Sequence, residues 1–143
     1  MPEISRTALV SHSPLQMFNV VNDVDRYGEF LPFCARGERL SGDEATAVCR
    51  VHLRKGPLRQ SFTTRNRLAP PARIDLDLAD GPFRSLTGSW RFDQIGQDAC
   101  RVTMSVQFEF ASALIGRTFG TVFKVVTAQV VDAFCDRADD LYG

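Results

Sequence analysis

Residues 99–134, ACRVTMSVQFEFASALIGRTFGTVFKVVTAQVVDAF, contain the change of period on which the fold turns. Up to Phe110 the period is two. Cys100, Val102, Met104, Val106, Phe108 and Phe110 fall on one side, and Arg101, Thr103, Ser105, Gln107 and Glu109 on the other. Such alternation marks a strand with one buried face. After Ser112, a residue type that caps helices, Ile115, Phe119, Val122, Val126, Val130 and Ala133 recur at helical spacing, while Arg117, Thr121, Lys124, Asp132 and Asp139 share the opposite face. The spacing predicts one helical element of about 30 residues reaching Leu141, about 45 Å at 1.5 Å per residue. Arg117 and Lys124 interrupt its apolar run, so it reads as a half-buried helix and not a membrane span.

The same period of two extends upstream. Ala47, Cys49, Val51 and Leu53 alternate with Val48, Arg50, His52 and Arg54, and Gly56-Pro57 turns the chain. Leu58, Gln60, Phe62, Thr64, Asn66 and Leu68 then share one face, with Arg59, Ser61, Thr63, Arg65 and Arg67 on the other. Ile74, Leu76 and Leu78 follow Pro70-Pro71, and Leu86, Gly88, Trp90 and Phe92 follow the turn Asp80-Gly81-Pro82. Short turns between successive strands predict an antiparallel meander, with the last helix across its concave face. At the other end, Ile4–Val10 reads as a strand. Ser13-Pro14-Leu15-Gln16 carries a capping box with proline at the first helical position, so a helix of about two turns should start there. Asn22-Asp23 ends it, and a short second helical turn should run toward Phe30 before Pro32.

The chain has 143 residues and no linker, repeat or low-complexity run, so 1–143 is expected to be a single domain. Lys plus Arg and Asp plus Glu both number 17, which disfavours a general DNA binder. The four cysteines, Cys34, Cys49, Cys100 and Cys135, are scattered without metal-ligand spacing and are expected to be reduced, buried thiols. MPEISRTALV enters a strand-like alternation at once, with no leader-like segment, and a cytoplasmic location is expected.

Three features bear on function. First, Phe makes up 11 of 14 aromatic residues. Phe62, Trp90, Phe108 and Phe119 share the inward faces with polar Gln60, Thr64 and Asn66, and Gly88, Gly116 and Gly120 remove side chains there. An apolar cavity with a few polar groups is the usual make-up of a small-molecule site, although internal pairing and close helix packing would produce the same pattern. Second, YGEFLPFC at 27–34 sets Tyr27, Phe30, Leu31, Pro32 and Phe33 together where a surface loop is normally polar, either plugging the core edge or forming a cavity lip. Third, Arg36, Arg39, Arg50, Arg54, Lys55, Arg59, Arg65, Arg67 and Arg73 are opposed over the same stretch only by Glu38, Asp43 and Glu44. Arg50, Arg54, Arg59, Arg65 and Arg67 occupy outward strand positions and form a candidate docking face for anionic lipid or RNA. His12 and His52 have no carboxylate at a motif spacing. No phosphate loop, nucleophile elbow or HExxH motif is present, so no catalytic residues, cofactor or metal are assigned and an enzyme is not expected.

YGEFLPFC, DGPFRSLTGSWRF at 80–92, FEFASALIG at 108–116 and FGTVFKVVTAQVVDAF at 119–134 resemble, in order, the START-like (SRPBCC) family of coenzyme Q-binding proteins and bacterial ribosome-association toxins, once labelled oligoketide cyclases. The family pattern has Pro and Trp where this chain has Gly28 and Phe33. The resemblance implies an α+β helix-grip fold: a curved seven-stranded antiparallel sheet around a long C-terminal helix, with two short helices near the N-terminus. It further implies an internal hydrophobic tunnel. The reading placed first is a non-catalytic carrier of ubiquinone or a similar prenyl lipid that supports respiration. In that reading Tyr27, Phe30, Leu31 and Pro32 form the mouth, Phe83, Leu86, Trp90, Phe108, Phe119, Val122, Phe123 and Val126 the wall, and the basic face touches the inner surface of the membrane. The alternative is a toxin, of toxin–antitoxin type, that binds the large ribosomal subunit and blocks subunit joining. A polyketide cyclase-like enzyme is the second alternative.

Overall fold

A computed structural model describes residues 3–143. The elements run β1 (Glu3–Val10), α1 (Pro14–Asn22), a 3-10 turn (Val24–Glu29), β2 (Cys34–Gly42), β3 (Thr46–Lys55), β4 (Leu58–Ala69), β5 (Arg73–Asp80), β6 (Phe83–Ile95), β7 (Ala99–Phe110), α2 (Ala113–Thr118) and α3 (Gly120–Tyr142). Seven strands form one antiparallel sheet in the order β1-β7-β6-β5-β4-β3-β2, so the meander from β2 to β7 is closed by β1 alongside β7. Register irregularities in the β2–β3, β4–β5 and β6–β7 pairs bend the strands locally, as bulges do, and give the sheet its grip on the helix.

The period-two readings of β3 to β7 match the register. Val51 lies opposite Phe62, Cys49 opposite Thr64 and Trp90 opposite Met104, all on the inner face. The exception is Cys34–Gly42, which sequence alternation does not mark as a strand. It is an edge strand with two register shifts and a mostly exposed ARGERLSG sequence, so no continuous apolar face is written into it.

The capping box at the start of α1 forms as expected: Gln16 N–H donates to Ser13 Oγ at 3.1 Å, and Ser13 N–H donates to Gln16 Oε1 at 3.0 Å. The C-terminal helix does not form as one continuous element. It breaks at Phe119 into the 6-residue α2 and the 23-residue α3, the latter about 35 Å long. Thr118 Oγ1 donates back to the Leu114 carbonyl at 3.0 Å, a bond that bends helices. Phe119, fully buried, packs edge-on to Phe83 and Phe110, and Gly116 and Gly120 lie against the Phe110 ring. Gly88 likewise sits against Val106 and Leu76. These three glycines permit close packing and do not empty a cavity. No helix among the described residues is long and apolar enough to cross a membrane.

Candidate functional site: an apolar cavity and a basic sheet edge

The sheet curves around α3 without filling the space between them. A cavity of about 130 Å³ remains. Its walls come from Val21 and Asn22 at the end of α1, Val24 and Tyr27 in the 3-10 turn, Leu31, the inner faces of β3 to β7, and Phe123, Val126, Thr127, Val130 and Phe134 of α3. An engineered cavity of about 150 Å³ is enough to hold benzene, so this space suits a ring-sized apolar group and not a long folded tail. The polar groups on the wall are few. Thr64 Oγ1 donates to Asn66 Oδ1 at 2.7 Å, and Thr127 Oγ1 donates to the Phe123 carbonyl at 2.9 Å.

Of the residues singled out from sequence for ligand binding, Tyr27, Leu31, Leu86, Trp90, Phe123 and Val126 line this cavity. Phe30, Pro32, Phe83, Phe108, Phe119 and Val122 lie outside its wall. Phe83, Phe108 and Phe119 instead build a solid aromatic cluster with Phe110 and with Phe62 and Phe123, which also line the cavity, with centroids 4.9–6.1 Å apart. Sequence reasoning missed Phe134 as a wall residue, although it falls four residues after Val130 on the same helix. It also left Val51, Ile74, Leu76, Met104 and Val106 unassigned, though each was already on an inward strand position.

The segment 27–34 plugs the edge of the core. The Tyr27 hydroxyl donates to the Val21 carbonyl, and its burial pushes the phenol well above its ordinary range. Its ring meets Phe134 edge-on at 5.3 Å, and Phe30 meets the same ring at 5.5 Å under the Arg137 guanidinium. A separate, more open cleft is lined by Phe18, Asn22, Arg39, Asp43, Glu44, Leu68 and Pro70, and Asn22 borders both spaces.

The outward arginines separate into two groups. Arg50 donates to Thr63 Oγ1 at 3.0 Å, Arg67 lies 3.5 Å from Asp77, and Arg65 stands opposite Asp77 in the β4–β5 register. Arg36 and His52 both hold Glu38, at 2.5 and 2.6 Å. Arg54 and Arg59, exposed and directly opposite each other on β3 and β4, form no ion pair among the described residues.

Each histidine does have a carboxylate partner. His12, buried, sits 2.7 Å from Asp139 Oδ1, 127 residues away, and pins α1 to the end of α3. Both pairs lie off the cavity wall. The cysteines are free, three buried and Cys135 half-buried, and no cluster of three or more His, Cys, Asp or Glu able to hold a metal occurs among the described residues.

Comparison with known proteins agrees with this architecture. The family model for polyketide cyclase / dehydrase and lipid transport matches residues 10–135. The ribosome association toxin RatA of Vibrio cholerae is 44% identical over 143 residues, covering 100% of this chain and 99% of its own. The mitochondrial coenzyme Q-binding protein COQ10 homolog B of Xenopus laevis is 29% identical, with 99% of this chain matching 59% of that protein. The solved Zhui aromatase/cyclase from Streptomyces superposes with a TM-score of 0.82 over 96% of this chain and 93% of its own, at 18% identity, which is a likeness of fold. The helix-grip architecture and the end-to-end matches agree, and this chain belongs to the START-like polyketide cyclase/dehydrase and lipid transport family.

Proposed function

We propose that this protein associates with the large ribosomal subunit and interferes with subunit joining, as a toxin-type member of its family. The observation that carries this is the 44% identity to the ribosome association toxin across the full length of both chains. The match to the coenzyme Q-binding protein is weaker, at 29%, and spans 59% of that relative. Ribosome association is therefore placed ahead of ubiquinone carriage, the reverse of the order expected from sequence. The cavity volume agrees with this order, because a space of about 130 Å³ matches a ring-sized group better than a long prenyl chain enclosed whole. The test is sedimentation of the purified protein with separated large and small subunits. Co-migration with the large subunit and depletion of joined ribosomes are expected; protein that stays at the top of the gradient beside intact large subunits sinks the reading.

A second reading is favoured by the cavity itself. Its wall is almost entirely apolar, and burying apolar area contributes about 25 cal/mol per Å². In this reading the protein takes up a ring-sized apolar ligand. Trp90 lies on the wall and is the only tryptophan. Its fluorescence should therefore change on titration with toluene, a ring of the size that the cavity holds. An unchanged spectrum and an unchanged Tm at saturating ligand would remove this second reading.

A further inference from the structure

The tip of the β3–β4 hairpin carries Arg54, Lys55 and Arg59 around the turn Gly56-Pro57. Arg54 and Arg59 are cross-strand partners, and like charges directly opposite each other on one face destabilise a sheet. Elsewhere on this face Arg36, Arg67 and Arg73 pair with Glu38, Asp77 and Asp75, Arg50 donates to Thr63 and Arg65 stands opposite Asp77, but no ion pair reaches Arg54, Lys55 or Arg59 among the described residues. Lys55 is positioned instead by an aromatic ring, with its Nζ 5.2 Å from the centroid of Phe33. Phe33 adopts a left-handed backbone conformation, φ 58°, which is uncommon for a bulky residue, and its carbonyl accepts from Arg54 N–H at 2.8 Å. Strained backbone that holds a like-charged cluster together points to a partner that offsets the repulsion.

We infer that this hairpin tip docks on the phosphate backbone of ribosomal RNA, with Arg54, Lys55 and Arg59 contacting neighbouring phosphates. The inference rests on the ribosome-association reading and names the part of the ribosome that is touched. Two arginines out of three cations suit phosphate oxygens, which the planar guanidinium fork meets bidentately. A membrane surface is disfavoured. Proteins that lie on bilayers insert large exposed apolar side chains beside their cations, whereas the large apolar neighbours of this tip, Phe33 and Leu58, are half-buried against the core and the strongly exposed Leu9, Leu15, Leu114 and Leu141 lie on other elements.

The test compares wild type with Arg54→Glu/Arg59→Glu and with Arg6→Glu/Arg91→Glu, a control with the same charge change at exposed residues on β1 and β6. Binding is measured to large subunits, to protein-free large-subunit RNA and to phosphatidylglycerol vesicles, between about 50 and 200 mM salt. The hairpin variant should lose about tenfold or more in affinity for both subunits and bare RNA. Its log affinity against log salt should become shallower by about 1.4 to 1.8, the loss of two phosphate contacts. The control should keep the wild-type slope. If wild type sediments with subunits and the hairpin variant does so equally, the ribosome reading stands and this one is overturned. Equal loss in the control, loss on subunits with bare-RNA binding intact, or vesicle capture without RNA binding each overturns it as well. If wild type binds bare RNA through these residues but not the subunit, the ribosome reading falls and the RNA contact remains. Arg54→Gln/Arg59→Gln replaces the reversed pair if that variant does not fold.

Discussion

Thr64 Oγ1 donates a 2.7 Å hydrogen bond to Asn66 Oδ1 on the cavity wall, two residues along the same strand. The bond uses one lone pair of the Asn66 oxygen, and its amide nitrogen donates no hydrogen bond among the described residues. That nitrogen is the donor a ligand oxygen would meet. A net hydrogen bond is worth about 0.5 to 1.5 kcal/mol, so the wild-type preference for acetophenone over ethylbenzene should exceed that of Asn66→Leu by roughly two- to tenfold. Thermal-shift titration of both ligands against both proteins checks this. An identical ratio in the two proteins means that no ligand oxygen reaches Asn66.

Phe134 should be the most costly single truncation near the cavity. Its ring, 1% exposed, is met edge-on by Tyr27, Phe30 and Trp90 at 5.3, 5.5 and 5.2 Å. Phe134→Ala should lower stability by about 3 to 5 kcal/mol, whereas Leu114→Ala, on a side chain 62% exposed, should stay within about 0.5 kcal/mol. Urea unfolding curves for the two variants provide the comparison.

Gly37 is where β2 and the 3-10 turn come closest. A Cβ there would stand 2.2 Å from the Val24 carbonyl oxygen, a fixed backbone atom. Gly37→Ala should cost about 1 to 3 kcal/mol by overpacking. Gly56, at φ 58° with open space around it, should cost only the backbone strain of about 1 to 2 kcal/mol when changed to Ala. Near-UV spectra separate the two, since only Gly37→Ala should change its spectrum; a wild-type spectrum and a wild-type Tm in Gly37→Ala would contradict the close approach.

Glu38 joins the two strands at the basic edge. The hydrogen bond from His52, with Arg36 and Arg50 nearby, holds its carboxyl below the usual carboxylate range. A pKa depressed by folding stabilises the protein above the unfolded value, about 4.3, and that contribution disappears as pH falls through the folded value. Glu38→Gln should therefore lower Tm at pH 6 and converge with wild type on acidification below pH 4. Parallel Tm curves across that window would exclude Glu38 from the acid response.

Burial pushes the Cys100 thiol up to about 11, with Asp93 adding to it, and the Cys135 thiol up to about 11, with Asp132, Asp136 and Asp139 adding. Cys34 and Cys49 are raised by burial as well. Thiolate is the reactive form, so iodoacetamide at pH 7.5 should leave the folded protein essentially unmodified and should alkylate all four cysteines in urea. Rapid labelling of the native state, read by intact mass, would contradict this protection.

Strands β3 to β7 and helix α1 were legible because their chemistry is local. Alternation along 47–53 and 100–110 reports one wet and one dry face, and Ser13-Pro14-Leu15-Gln16 contains its own cap. β2 was not legible, because an edge strand with a mostly exposed sequence carries no such pattern. The helix break was hidden for a different reason: the apolar spacing continues through Thr118 and Phe119, and only the Thr118 back-bond and the anchoring of Phe119 against β6 and β7 bend the chain there.

By itself, then, the sequence determined which residues face inward, where the strands turn, and that the last helix is amphipathic, because burial writes a period into the chain. Only the tertiary structure decided which inward residues line empty space. Phe108 and Phe134 are equally buried, each 1% exposed, yet one packs into the aromatic cluster and the other borders the cavity. The curvature of the sheet against α3 separates them, and that curvature depends on contacts between residues far apart in the chain. It likewise decided how the arginines pair, because Asp77 reaches Arg67 across the β4–β5 register while, among the described residues, no carboxylate pairs with the opposed Arg54 and Arg59.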